Sequence, residues 1–212
     1  MAHLYLSVLN FNYTQMKVKT ILFTLSLLLA GWGVNAQNLR GDGLKSSIVK
    51  YELTAQDMEI PMIEYKDDYG KKVCSKMTIM GGEIGYIMNG DKSYMINYSQ
   101  QQYMELERPE NKINYNELTP EVIDKYKITA TGTGEFLGKK CTIYTSEMTD
   151  SKPAIKMTAW VYKGIPLKVI SEYDNGTKDQ RIATSIEENP VIPASTFEVP
   201  QGFTKMALPL MK

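Results

Sequence analysis

The chain has 212 residues, and its 24 lysines and arginines balance its 24 aspartates and glutamates. That length suits one domain rather than two, and the absence of a basic stripe argues against a nucleic-acid surface. The single histidine, His3, lies at the extreme N-terminus, so histidine triads and histidine metal sites are excluded from the rest of the chain.

Met16 reads as the true start, and residues 1–15 as an over-extended one. From Met16 the chain runs through Lys17 and Lys19 into an apolar stretch, Ile21–Ala30, and then Gly31-Trp32-Gly33-Val34-Asn35-Ala36. A basic head, about ten apolar residues and small residues at the −3 and −1 positions form a secretory signal peptide. The apolar run is about half the length a membrane span needs. Residues 16–36 are therefore expected to be cleaved after Ala36, leaving a periplasmic or secreted chain, 37–212, without a transmembrane segment. No cysteine follows the cleavage site for lipid attachment. Loss of Lys17 and Lys19 leaves 22 basic against 24 acidic residues, a net charge of −2.

The remainder reads as short alternating runs between turn signals, the pattern of an antiparallel meander. In Ile48–Ala55, Val49, Tyr51 and Leu53 share one face. Met62–Lys66 leads to the turn cluster Asp67–Gly70, and Lys71–Met80 returns until Gly81-Gly82. Glu83–Met88 and Ser93–Tyr98 flank Asn89-Gly90-Asp91-Lys92. An Asn-Gly pair between alternating runs predicts a hairpin with a type I′ turn. Ile84, Tyr86 and Met88 share a face of the first arm, and Tyr94, Ile96 and Tyr98 a face of the second. Gln102–Leu106 is a further short strand.

Thr119-Pro120-Glu121 predicts a helix start, with a capping threonine, proline at the first position and an acid in the first turn. The helix runs through Tyr126 and is too short to stand alone. Lys127–Thr133, Lys139–Met148, Ile155–Tyr162 and Ile165–Asp174 follow. Asn175-Gly176 is read as a second two-residue hairpin loop into Thr177–Glu187. That register sets Val169 opposite Ile182 and buries both. The sum is roughly nine or ten strands with one or two short helices. The predicted class is mainly β: one strongly curved antiparallel sheet, covered partly by the helical segment.

Gly138-Lys-Lys-Cys141-Thr-Ile-Tyr144, Trp160-Val-Tyr-Lys-Gly164-Ile-Pro166-Leu-Lys168 and Ile192-Pro-Ala-Ser-Thr-Phe197-Glu-Val-Pro200-Gln-Gly202-Phe203 follow one another in this order. This series resembles the LolA/LolB-like superfamily of envelope proteins, well over about residues 127–204 and by pattern before that. The match is nearer to exported relatives of uncharacterised function than to the lipoprotein carriers. The carriers open with a long amphipathic helix, whereas only Asn38–Ser47 precedes the first strand here. The resemblance implies an incomplete barrel whose apolar concavity holds acyl chains.

Two functions stand open. One is a non-enzymatic lipid or acyl-chain binder, in envelope lipid or lipoprotein handling. The other is an assembly protein that docks a partner chain on its curved sheet. For the first, Tyr86, Met88, Ile96 and Met104 are the expected apolar lining, with the Pro120–Tyr126 helix near the cavity mouth. Methionine adapts to variable apolar ligands and tyrosine adds a polar tip. Cys74 and Cys141 are either a disulfide, as an even count in an oxidising compartment suggests, or two buried thiols. No motif predicts a cofactor, a metal site or a catalytic nucleophile.

Overall fold

A computed structural model describes residues 43–55, 58–107, 113, 115–116, 118–149 and 154–206. The expected leader, 1–36, lies outside the described residues. Twelve strands form one sheet rather than nine or ten strands: β1 (Ser47–Ala55), β2 (Met58–Asp67), β3 (Lys72–Ile79), β4 (Gly82–Asn89), β5 (Lys92–Asn97), β6 (Gln102–Leu106), β7 (Thr129–Phe136), β8 (Lys139–Met148), β9 (Ile155–Tyr162), β10 (Ile165–Tyr173), β11 (Lys178–Glu188) and β12 (Thr204–Lys205). The last is too short to show alternation. One helix, α1 (Pro120–Tyr126), precedes β7. Their order across the sheet is β12-β6-β5-β4-β3-β2-β1-β11-β10-β9-β8-β7. The sheet is strongly curved and does not close into a barrel.

The topology is two meanders joined edge to edge. β1 to β6 run outward in sequence on one side, and β11 back to β7 on the other, with β1 paired to β11 as the seam. All pairs are antiparallel except β12 with β6. The seam carries a bulge between Lys50 and Tyr51, and β10 carries another between Pro166 and Lys168. Bulges sharpen local twist and bend strands, which suits a sheet that must curl to bury one face.

Both Asn-Gly hairpins form, but with other turns than expected. At the first, Asn89 pairs with Lys92, so Gly90 and Asp91 are the loop. Gly90 has a positive φ and Asp91 does not, the signature of a type II′ turn. At the second, Glu172 pairs with Lys178, and the Tyr173 N–H donates to the Thr177 carbonyl at 3.0 Å. The loop is three residues, Asp174-Asn175-Gly176, with Gly176 at φ 83. A three-residue loop closes with glycine in the left-handed region, and it moves the pairing by one residue. Val169 therefore opposes Arg181, and Lys168 opposes Ile182. Val169 is buried as expected, whereas Ile182 is half-buried on the other face.

The face carrying Val49, Tyr51 and Leu53 is termed inner. It holds the main cluster, with Ile60, Met62, Val73, Met77, Tyr86 and Met88 contributed by β2, β3 and β4. On the outer face, Cys74, Ile87 and Ile96 pack with Phe197. Phe197 arrives from the 3₁₀ turn Ala194–Phe197, on the segment that follows β11. That segment ends as β12 against β6.

Candidate functional site

The inner face of β1 to β4 is built by alternation. Met62 opposes Tyr51 on one side and Met77 on the other, and Val73 opposes Met88. Val49, Leu53, Ile60, Met62, Val73, Met77 and Met88 form one continuous apolar surface, each withdrawn from water. Within this cluster every buried member except Leu44 belongs to a strand of the sheet.

Three of the four expected lining residues lie on this face. Tyr86 opposes Met95, and Met95 opposes Met104, so Tyr86, Met88 and Met104 point the same way. Tyr86 and Met88 are buried and Met104 is half-buried. Ile96 does not join them. It opposes Gly85 and Tyr103 and packs on the outer face with Cys74 and Phe197. Grouping it with Tyr86 ignored the two-residue loop, which sets Tyr86 opposite Met95 and thus Ile96 on the reverse side. α1 is likewise elsewhere. It packs against β8, with Tyr126 and Val122 beside Tyr144 and Met148, seven strands from β4 in the sheet order.

The cysteines are free and buried. Cys74 sits in the outer cluster, whereas Cys141 sits in the main cluster with Val73 and Met77 from the other face of Cys74's own strand, so no bridge forms. Burial pushes the Cys74 thiol up to about 11, away from thiolate chemistry.

Sequence alternation alone missed a line of polar groups that crosses the inner face. On β2, Glu64 lies 3.8 Å from Lys66, with the Glu64 side chain almost wholly buried. On β1, the Tyr51 hydroxyl donates to the Pro166 carbonyl at 3.2 Å, and the Arg181 guanidinium of β11 lies 5.0 Å from its ring centre. Burial, and then the negative charge of Glu64, hold the Tyr51 phenol well above its ordinary range, with Arg181 opposing. Further along, the Tyr173 hydroxyl donates to Asp179 at 2.6 Å. Two cations and two carboxylates give this line no net charge. Its signal was the register: once Val169 opposes Arg181, that arginine and Asp179 must face inward.

The reverse side of β8 and β9 from Cys141 and Trp160 carries a separate cluster. Tyr115 stacks at 5.3 Å on Tyr144 and packs over Ala159, Val161 and Val169. A separate open groove of about 470 Å³ crosses the outer face, lined by Lys50, Glu52, Lys76 and Glu83 among others. Its mixed charge does not suit an acyl chain.

One further cluster ties the sheet together. Glu188 accepts from Lys139 at 2.5 Å, Lys163 at 3.1 Å and Tyr162 at 3.2 Å. The Lys139 hydrogen bond, foremost, holds the Glu188 carboxyl below its usual range; the Glu188 contact raises Lys139, and Tyr162, then Glu188, raise Lys163. A lowered carboxyl contributes stability above its unfolded pKa and loses it as pH falls through the folded value; the raised lysines lose theirs only as pH rises through their own. Glu188→Gln is therefore expected to cost about 1 kcal/mol or less at neutral pH, since all partners are partly solvated. The difference from wild type should vanish in acid below the carboxylate range, as read by urea unfolding across pH.

A family model described as a domain of unknown function, DUF4412, matches residues 41–165, more than half of the chain. The chain belongs to the DUF4412 family. Comparison with curated protein sequences gives no match. Among solved structures, the DUF4412 chain is similar to an uncharacterised conserved protein from Thermus thermophilus, at 7% identity and a TM-score of 0.56, over 76% of this chain and 90% of that one. It is similar to MucB at 10% identity and a TM-score of 0.50, over 76% of this chain but 59% of MucB, so it spans less than two thirds of MucB's length. The Mycobacterium tuberculosis lipoprotein LppX matches at 15% identity and a TM-score of 0.43, over 71% of this chain and 90% of that one. At these identities the likeness to the Thermus thermophilus protein and to MucB is one of fold alone, and the fold is the expected curved, open antiparallel sheet.

Proposed function

We propose that the chain, freed of residues 1–36, is an exported, non-enzymatic envelope protein that binds lipid or acyl chains against the inner face of its sheet. The continuous apolar surface across β1 to β4, in a sheet that stays open, carries this reading. In the described residues that face is already covered by Cys141, Ile165 and Leu167 with Trp160 and Tyr162, so an acyl tail enters by parting them from β1 to β4, and each methylene buried there contributes about 0.8 kcal/mol. Ten methylenes amount to roughly 8 kcal/mol before association costs, which leaves micromolar or weaker binding. The neutral polar line runs through this face, with Glu64 opposite Val49 and Ser75, so the largest apolar stretch for a tail is the part built by Leu53, Ile60, Met62 and Met77.

A second reading, partner docking, has its own support. A structure of MucB in complex with MucA(peri) is similar to this chain over 77% of its length, at a TM-score of 0.50. Native mass spectrometry of the protein purified from its own envelope separates the two. Adducts of lipid mass, released by collisional activation, are expected. A stoichiometric protein partner without lipid would favour the second reading.

A further inference from the structure

We propose that β7 is a pairing edge through which two copies of the chain join, antiparallel about Gly134. Among the described residues β7 is the terminal strand, paired with β8 alone. Thr129, Ala130, Thr131, Gly132, Thr133 and Glu135 are exposed, and Gly134 and Phe136 half-buried. An edge strand presents a row of backbone donors and acceptors that will pair with another strand unless guarded.

The two edges of this sheet are treated differently. At β6 the chain supplies its own cover: the Thr204 N–H donates to the Gln101 carbonyl and the Met206 N–H to the Tyr103 carbonyl, and Lys205 pairs with Glu105 at 2.5 Å. β7 has no proline and no lysine. Its one charge, Glu135, lies opposite Lys140 of β8. A register irregularity between Ala130 and Gly132 confines the regular run to residues 132–136.

The side chains of that run select the occupant. Gly132, Gly134 and Phe136 share a face, and nothing lies within 4 Å of where a Gly132 Cβ would stand. A second β7 set antiparallel about Gly134 places its Phe136 across from Gly132, and the reverse; each Phe136 stays packed on its own main cluster, so this register brings no two bulky side chains together at the seam. Thr133 then faces Glu135 of the second copy, and no like charges meet. A two-fold about Glu135 opposes the two carboxylates, and one about Thr133 sets glycine against glycine. A run this short makes a small interface, so the dimer forms with rising concentration.

The register fixes the signs of the test. Sedimentation velocity on the purified exported chain, from micromolar to millimolar, is expected to show a monomer–dimer equilibrium. Thr133→Lys, facing Glu135 of the second copy twice per dimer, should tighten it about tenfold, and Thr133→Asp should weaken it about tenfold. Thr133 is exposed, so circular dichroism should be unchanged in both variants. Mild oxidation of Gly134→Cys should give a cross-linked dimer, because the two α-carbons are directly opposed, and Thr129→Cys should not. A monomer throughout with no Gly134→Cys cross-link overturns the proposal. Thr133→Lys and Thr133→Asp acting in the same direction also overturn it, as does a monomer that instead adds an unrelated extended peptide at β7.

Discussion

Phe197→Ala is expected to lower the stability of the chain by about 3–5 kcal/mol, the cost of removing a fully buried aromatic whose site cannot collapse. Phe197 is 1% exposed and closes the outer-face cluster over Cys74, Ile87 and Ile96. Those three come from β3, β4 and β5, hydrogen-bonded neighbours whose spacing cannot shrink to fill the gap. The carbonyl of Phe197 is also held, accepting from the Asn89 amide at 3.2 Å, so the backbone stays while the ring is lost. Phe203 gives the contrast. It is half-buried and meets Tyr98 edge-on at 5.9 Å, so Phe203→Ala should cost about 1 kcal/mol. Urea unfolding of both variants decides the matter. Equal losses would mean that the C-terminal segment is not anchored at Phe197.

Tyr173→Phe should cost about 1.5–3 kcal/mol, the range for a hydrogen bond to a charged group. The ring stays and only the hydroxyl that donates to Asp179 at 2.6 Å is removed. Both residues are buried, so water does not replace the donor freely. Burial, and then the Asp179 contact, hold the Tyr173 phenol above its ordinary range, and it remains a donor through neutral and mildly alkaline pH. Asp179→Asn keeps an acceptor without the charge and should cost less than Asp179→Ala. Denaturant midpoints of the three variants in that order would confirm the buried pair. A Tyr173→Phe midpoint equal to wild type would contradict it.

Alternation and turn chemistry carried much of the fold. The runs 48–55, 83–88, 139–148 and 155–162 are strands, and the Thr119 hydroxyl caps α1 by accepting from the Val122 N–H at 3.3 Å. What failed was register. Asn-Gly marked both hairpins, yet in both only the glycine takes the positive φ. One residue of loop length decides which face a whole strand presents. At the second hairpin that single step turned Arg181 and Asp179 inward, so the polar line was invisible before the loop was known, whereas any two-residue loop at the first sets Ile96 on the face opposite Tyr86. The placement of α1 and the separation of the two cysteines depend on the β1–β11 seam, a contact between distant chain segments, Ser47 with Glu188 at its outer end, that no local pattern encodes.

The central claim is that the inner face of β1 to β4 takes up an acyl chain, and a fluorescent acyl-probe titration of the exported chain tests it most directly. Saturable uptake is expected in the micromolar range. Met88→Asp, on the inner face of β4, and Met104→Asp, half-buried on the same face at β6, should abolish or sharply weaken uptake, because a carboxylate there has no partner to offset its desolvation. Ile63→Asp, half-buried on the outer face of β2, should leave uptake unchanged, with circular dichroism confirming that each variant is folded. No saturable uptake, or uptake equal in the wild type and the folded Met104→Asp variant, would contradict the account.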